Sequence, residues 1–331
     1  MIALRRKMTR ALPIIVFGSF LCLAASHAQD VTKDYPAHPI RFIVAQTAGG
    51  PTDLVARILS EKLSKTLGQP IIVENRPGAG STIATNVVAH AAPDGYTILI
   101  ATVQHIINPY LFEKLPYDSV KDFSPITVAA QAQLLFLCGS QVPVNDLRSF
   151  VDYAKKNPGK ISWAHSGIGG TGHLAVELLQ SEAGINIVKI PYKGTQPAMQ
   201  DVLGGQVECM SAAVSSALPF IKNGKLHALA IAAPKRSNLL PEVKTVAEQG
   251  FPQSEAPGPL ALLAPARTPT PIIEKLQSSI ATIVNSQEVR DSLAAQGMEP
   301  VGNTPAQFAA YIQDEGKKLG EVIRKEGIKI E

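Results

Sequence analysis

Cysteine is scarce. Only Cys22, Cys138 and Cys209 occur in 331 residues, and Cys22 falls inside an apolar N-terminal run. Neither of the other two has neighbours at metal-ligand spacing, so no metal site is expected. Net charge is scarce too. The chain carries 31 Lys and Arg against 27 Asp and Glu, but Arg5, Arg6, Lys7 and Arg10 belong to the first 28 residues, which contain no acid. Removing those four leaves 27 against 27. A neutral surface lacks the clustered positive charge that nucleic acid or anionic lipid requires of a partner. No apolar run beyond the N-terminus is long enough to span a bilayer. Internal repeats and low-complexity linkers are also missing.

What is present starts with a leader. Basic residues precede an apolar run over residues 11–25, which closes on Ser26, His27 and Ala28. That order predicts a secretory signal peptide over residues 1–28, cut before Gln29, because the run is shorter than the roughly 20 residues of a membrane span. An exported chain meets an oxidising compartment, where Cys138 and Cys209 can pair if the fold brings them together. Both lie in apolar strand-like runs, so two buried free thiols are the other reading.

From Pro39 onward strand-like runs alternate with helical stretches, as in IRFIVA followed by LVARILSEKLSKTLG. Repeated β-then-α units predict an α/β fold of parallel-rich sheets covered by helices. A second series begins near residue 134. The runs at 125–130 and 226–233 flank it without helices of their own and read as two crossover strands. Hence two lobes are expected: a first domain of residues 36–126 and 231–331, and a second, inserted, of residues 127–230.

Two loops carry chemistry. Residues 45–53, AQTAGGPTD, leave a strand and open a helix. Gly49 and Gly50 allow a tight turn and close backbone approach, and Pro51 suits the first helical position. The first N–H groups of such a helix have no internal acceptor, which makes its start an anion site. Asp53 has a structural reading, as a cap or as a partner of Arg57 one turn on.

The second loop, residues 163–173, reads WAHSGIGGTGH. Gly167, Gly169 and Gly172 satisfy a dinucleotide-binding pattern, yet the acid expected about twenty residues later is replaced by KIPYKG at 189–194. No nucleotide or other cofactor is therefore expected. The same turn can hold a carboxylate, helped by the Ser166 and Thr171 hydroxyls. A hydrolase would recruit Ser166 and His173, but the G-x-S-x-G elbow is missing and His173 reads as a packing or capping residue of the helix's first turn.

At these loops the chain resembles the Bug family, the TctC-like substrate-binding proteins of tripartite tricarboxylate transporters. The resemblance runs from about residue 35 to the C-terminus. It is carried by AGGPTD at 48–53, LGQPIIVENRPGAGS at 67–81, APDGYTILIAT at 92–102, LPYDSVKDFSPI at 115–126, SGIGGTGHLAVELL at 166–179, PYKGTQPAMQDVLGGQVE at 191–208 and PKRS at 234–237.

It implies a two-lobed periplasmic binding protein fold in which facing loops hold a carboxylate by main-chain N–H groups and hydroxyls. Here the implied residues are Thr47, Ala48, Gly49, Gly50 and Thr52 in one loop and Ser166, Gly167, Gly169, Gly170 and Thr171 in the other. Gln46, Ser81, Thr102, Gln104, His105, Tyr192 and Thr195 are the further expected cleft positions. The expected partners are a small mono-, di- or tricarboxylate and the membrane subunits of a transporter, or a membrane receptor if the protein senses rather than delivers. A periplasmic monomer that is not an enzyme is expected.

Three departures bear on the ligand. Ala45 and Gln46 stand where the family usually has proline and an aromatic residue. Ser211 and Ala212 replace a common aromatic–aspartate pair, which removes an acid able to face a ligand amine and disfavours an amino acid. EAPGPL at 255–260 lacks the usual tryptophan.

Overall fold

The aliphatic runs of the sequence become strands enclosed by protein. All five residues of TILIA at 97–101 are buried, as a strand covered on both faces requires. In a computed structural model the chain is described over residues 34–192, 194–256 and 258–329. The expected leader and its cut before Gln29 lie outside the described residues.

In chain order the strands are β1 (Ile40–Val44), β2 (Ile71–Asn75), β3 (Thr97–Ala101), β4 (Phe123–Ala132), β5 (Leu134–Gly139), β6 (Ser162–His165), β7 (Val188–Pro191), β8 (Cys209–Ala213), β9 (Leu226–Ile231), β10 (Gly258–Pro265) and β11 (Met298–Pro300). The helices are α1 (Pro51–Leu67), α2 (Thr82–Ala89), α3 (Gln104–Leu111), α4 (Leu147–Lys156), α5 (Thr171–Ala183), α6 (Thr195–Leu203), α7 (Val214–Lys222), α8 (Thr270–Val284), α9 (Gln287–Ala294) and α10 (Pro305–Lys325). Among the described residues no helix is long and apolar enough to cross a membrane, and no group of His, Cys, Asp and Glu is placed to hold a metal ion.

Two sheets result, as the α/β reading expects. The first has the order β11-β4-β10-β3-β1-β2 and the second β7-β6-β8-β5-β9. The parallel character is concentrated in one triplet of each. β1 runs parallel to both β2 and β3, and β6 runs parallel to both β7 and β8. The remaining pairings are antiparallel. In each triplet the central strand comes first in sequence and the chain winds outward to either side. The carboxyl ends of β1 and β6 are therefore switch points, where an open α/β sheet leaves a crevice.

Passage between the sheets differs from the expected pair of crossover strands in its detail. β4 stays in the first sheet as far as Ala132, six residues beyond the expected switch at 126, and β5 starts in the second sheet at Leu134. Gln133 is the joint. Its N–H donates to Gly297 O on one side and its carbonyl accepts from Val214 N–H on the other. The runs at 125–130 and 226–233 do not pair with each other, because β4 pairs with β10 and β9 pairs with β5. The return path runs through residues 232–256.

Cys138 and Cys209 face each other in the antiparallel register of β5 and β8 and form a disulfide. The pairing left open by the sequence is thus made, in the middle of the second sheet. Beside it Phe136 and Phe150 meet the fully buried Trp163 edge to face, at ring separations of 5.3 and 5.2 Å. Such contacts favour a single side-chain arrangement over a loosely packed one.

Candidate functional site

The loops that follow β1 and β6 meet at a cavity of about 490 Å³. Its wall takes Gln46, Thr47, Gly50, Pro51 and Thr52 from the first loop and Ser166, Gly167, Ile168, Gly170, Thr171 and Gly172 from the second. Thr102 and Gln104 after β3, Gly194 and Thr195 at the start of α6, and Ser211, Ala212 and Ala213 of β8 complete the sides. The floor is the joint between the sheets, with Ala132, Gln133 and Leu134 opposite Gly258, Pro259 and Leu260.

Helix starts dominate this surface. α1, α5 and α6 begin at Gly50, Gly170 and Gly194, and none of the three has a side-chain cap. A glycine cap leaves the first-turn N–H groups without a side-chain acceptor, and the helix dipole adds partial positive charge there. No Lys or Arg belongs to the described cavity wall. Negative charge can be met here by peptide dipoles and hydroxyls, which suits a carboxylate held at its oxygens.

The first loop is braced from behind. Asp53 is buried, and its carboxylate accepts from Gly49 N–H at 2.9 Å, Arg57 Nε at 2.9 Å and Asn75 Nδ2 at 3.0 Å. Asn75 Nδ2 also donates to Gln46 O at 3.1 Å. Gly49 needs its glycine, since its φ of 81° is left-handed. Asp53 is thus a brace, outside the cavity wall, in agreement with its structural reading.

The Arg57 hydrogen bond, against the cost of burial and with help from Gly49 and Asn75, holds the Asp53 carboxyl below its usual range. A carboxyl depressed by folding contributes stability that is complete above its unfolded value and is lost as pH falls through the folded one. Asp53→Asn is expected to cost about 1–2 kcal/mol at pH 7 and to weaken the acid dependence of unfolding. Denaturant titrations of both proteins at pH 7 and pH 3 check this; parallel losses at the two pH values would contradict it.

The second loop is set by close packing. A Cβ on Gly172 would lie 3.1 Å from the Ser211 Cβ, so glycine lets α5 approach β8. Ser211 Oγ donates to Gly172 O at 3.1 Å and accepts from Trp163 Nε1 at 2.9 Å. The Ser211 hydroxyl therefore ties the cleft wall to the Trp163 cluster. No acid accompanies it, since Ala212 follows.

Other expected positions fall behind the wall or away from it. Ser81 accepts from Gln46 Nε2 at 3.1 Å and supports the loop from behind. Ala48, Gly49 and Gly169 shape the turns without lining the cavity. His105 is turned inward: Nε2 donates to Ser119 O at 2.8 Å, and burial pushes its pKa down to about 4, against that bond. The Tyr192 hydroxyl donates to Asp201 at 2.6 Å and is not part of the wall. His173 has both ring nitrogens engaged, by Gly169 N–H and by Glu177.

The joint, Ala132–Leu134, has no counterpart among the expected positions, whereas Pro259 and Leu260 belong to the stretch 255–260 whose departure bears on the ligand. A larger recess of about 640 Å³ between α3 and α10 mixes Glu113 and Asp118 with Lys317 and Arg324. Its wall holds no helix start, and the smaller cleft at the switch points is the better site for an anion.

Residues 55–328 match the profile of the tripartite tricarboxylate transporter family receptor, TctC. The chain is 36% identical to BugT of Bordetella pertussis over 325 residues, covering 98% of this chain and 99% of that protein. Among solved structures it is similar to an R. palustris protein with adipate, at 30% identity and TM-score 0.77, covering 89% of this chain and 100% of that one. It is also similar to MatC from Rhodopseudomonas palustris with bound malate, at 34% identity and TM-score 0.73, covering 87% and 100%.

Proposed function

Since the chain belongs to the tripartite tricarboxylate transporter receptor family, we propose that it is an exported, periplasmic solute-binding protein that captures a small organic carboxylate between its two sheets and hands it to membrane transporter subunits. The observation that carries this reading is the convergence of three glycine-capped helix starts on one cavity whose described wall has no cation. Hydroxyls of Thr47, Thr52, Ser166, Thr171 and Thr195 stand among these N–H groups and add donors. The joint at Gln133 and the return through 232–256 let the lobe built on the second sheet move against the first. The similar proteins solved with adipate and malate make a dicarboxylate the first ligand to try.

A screen of mono-, di- and tricarboxylates, adipate and malate included, tests the proposal. A bound acid raises the unfolding midpoint, and the rise grows with the logarithm of its concentration once that exceeds the dissociation constant. A protein whose midpoint no carboxylate moves, but which neutral solutes stabilise, would overturn the ligand class.

A further inference from the structure

Beneath the second glycine loop two imidazoles lie face to face. The rings of His165, at the end of β6, and His173, in the first turns of α5, are 4.3 Å apart with 25° between their planes. His165 Nδ1 is 3.0 Å from Gly167 O. A carbonyl only accepts, so the hydrogen is on Nδ1 of this ring. Gly169 N–H points at His173 Nδ1 across 3.2 Å. A peptide N–H only donates, so this Nδ1 is bare and the hydrogen of the second ring is on Nε2. There it meets Glu177 at 3.2 Å. The two rings therefore adopt opposite tautomers, one gripping a carbonyl as donor and the other an N–H as acceptor.

The gripped residues are those whose backbone is hardest to hold. Gly167 and Gly169 have φ of 133° and 72°, a region with little intrinsic preference for one shape over another. We propose that the stacked pair His165 and His173 is the positioning device of the second ligand loop, fixing Gly167 O and Gly169 N–H through opposite tautomers and so setting the cleft wall formed by Ser166, Ile168 and Gly170.

The charged groups around the pair keep it in this form. Glu177 on α5 accepts from His173 Nε2 and binds Lys189 of β7 through its other oxygen at 2.9 Å. This pins the His173 hydrogen on Nε2 while Lys189 balances the carboxylate. Burial, aided by the neighbouring His173, pushes the His165 pKa down to about 4. The consequence for ligand capture rests on the reading of the cleft given above, whereas the clamp itself does not, and its test needs no ligand.

Long-range ¹H–¹⁵N correlation on the ligand-free wild-type protein at pH 7 reads the tautomers directly. The expected result is a hydrogen on Nδ1 of His165 and on Nε2 of His173; the same tautomer on both rings would overturn the proposal. Amide exchange at Gly169 gives the second measurement. His173→Leu removes the acceptor and is expected to speed this exchange about tenfold, the scale of one lost hydrogen bond. His173→Asn places a side-chain oxygen near the position of Nδ1 and is expected to keep the wild-type rate, although it loses Glu177. Wild-type exchange in the Leu variant, or equally fast exchange in both variants with matching unfolding midpoints, would show that the ring does not hold the loop. The tautomers decide the matter even if the Leu variant does not fold.

Discussion

Replacing Cys138 and Cys209 together by serine is expected to lower the unfolding free energy by about 4 kcal/mol. The two residues are 71 apart in sequence, and a cross-link of that span removes conformational freedom mainly from the unfolded chain. The folded state changes little, because the pair faces each other within the β5–β8 register and serine fits the space of cysteine. Both residues are fully buried. A reductant added to the native protein is therefore expected to act only after unfolding, so denaturant curves with and without it should separate while the native signal stays unchanged. A loss below about 1 kcal/mol in the double variant would mean that the unfolded chain is already confined near this pairing.

How much of this was legible depends on how local the signal is. The glycine loops were visible because the same residues that turn the chain also bare the helix starts, so 47–52 and 166–171 could be read without tertiary knowledge. The α/β fold followed from alternation, but the place of sheet change did not. β4 and β5 follow each other with only Gln133 between them, and the polar break at Gln131 and Gln133 contains no turn residue that would mark a joint. What fixes it is hydrogen bonding to Gly297 and Val214, far away in sequence.

Half of the cleft floor was missed for a related reason, since Ala132 and Leu134 are ordinary strand residues that become a ligand surface only where two sheets meet. His105 and Tyr192 stood at suitable positions, yet position does not determine direction. Ser119 O turns the histidine inward, and Asp201 draws the tyrosine hydroxyl away. The opposite case is Ser211. Read as the loss of an aromatic residue, next to a lost acid at Ala212, it proves also to be a bond between the cleft wall and Trp163.

The methyl ester of whichever carboxylate binds is expected to bind about a hundredfold more weakly than the acid, a difference of about 3 kcal/mol. Peptide N–H groups at a helix start read charge as well as shape. A hydrogen bond to a charged acceptor contributes roughly 1.5–3 kcal/mol against roughly 0.5–1.5 for a neutral one, and each helix terminus adds roughly 0.3–1. Two such bonds reduced to neutral strength, together with the lost dipole term, give the stated difference. Thr171→Ala is expected to cost less, about 1–2 kcal/mol, because it deletes one hydroxyl while the N–H groups of α5 remain. Calorimetry of acid, ester and variant separates these contributions. Equal affinity for acid and ester would mean that the helix starts do not carry recognition. Binding would then have to come from the apolar floor at Leu134, Pro259 and Leu260, and the natural ligand would be a neutral solute.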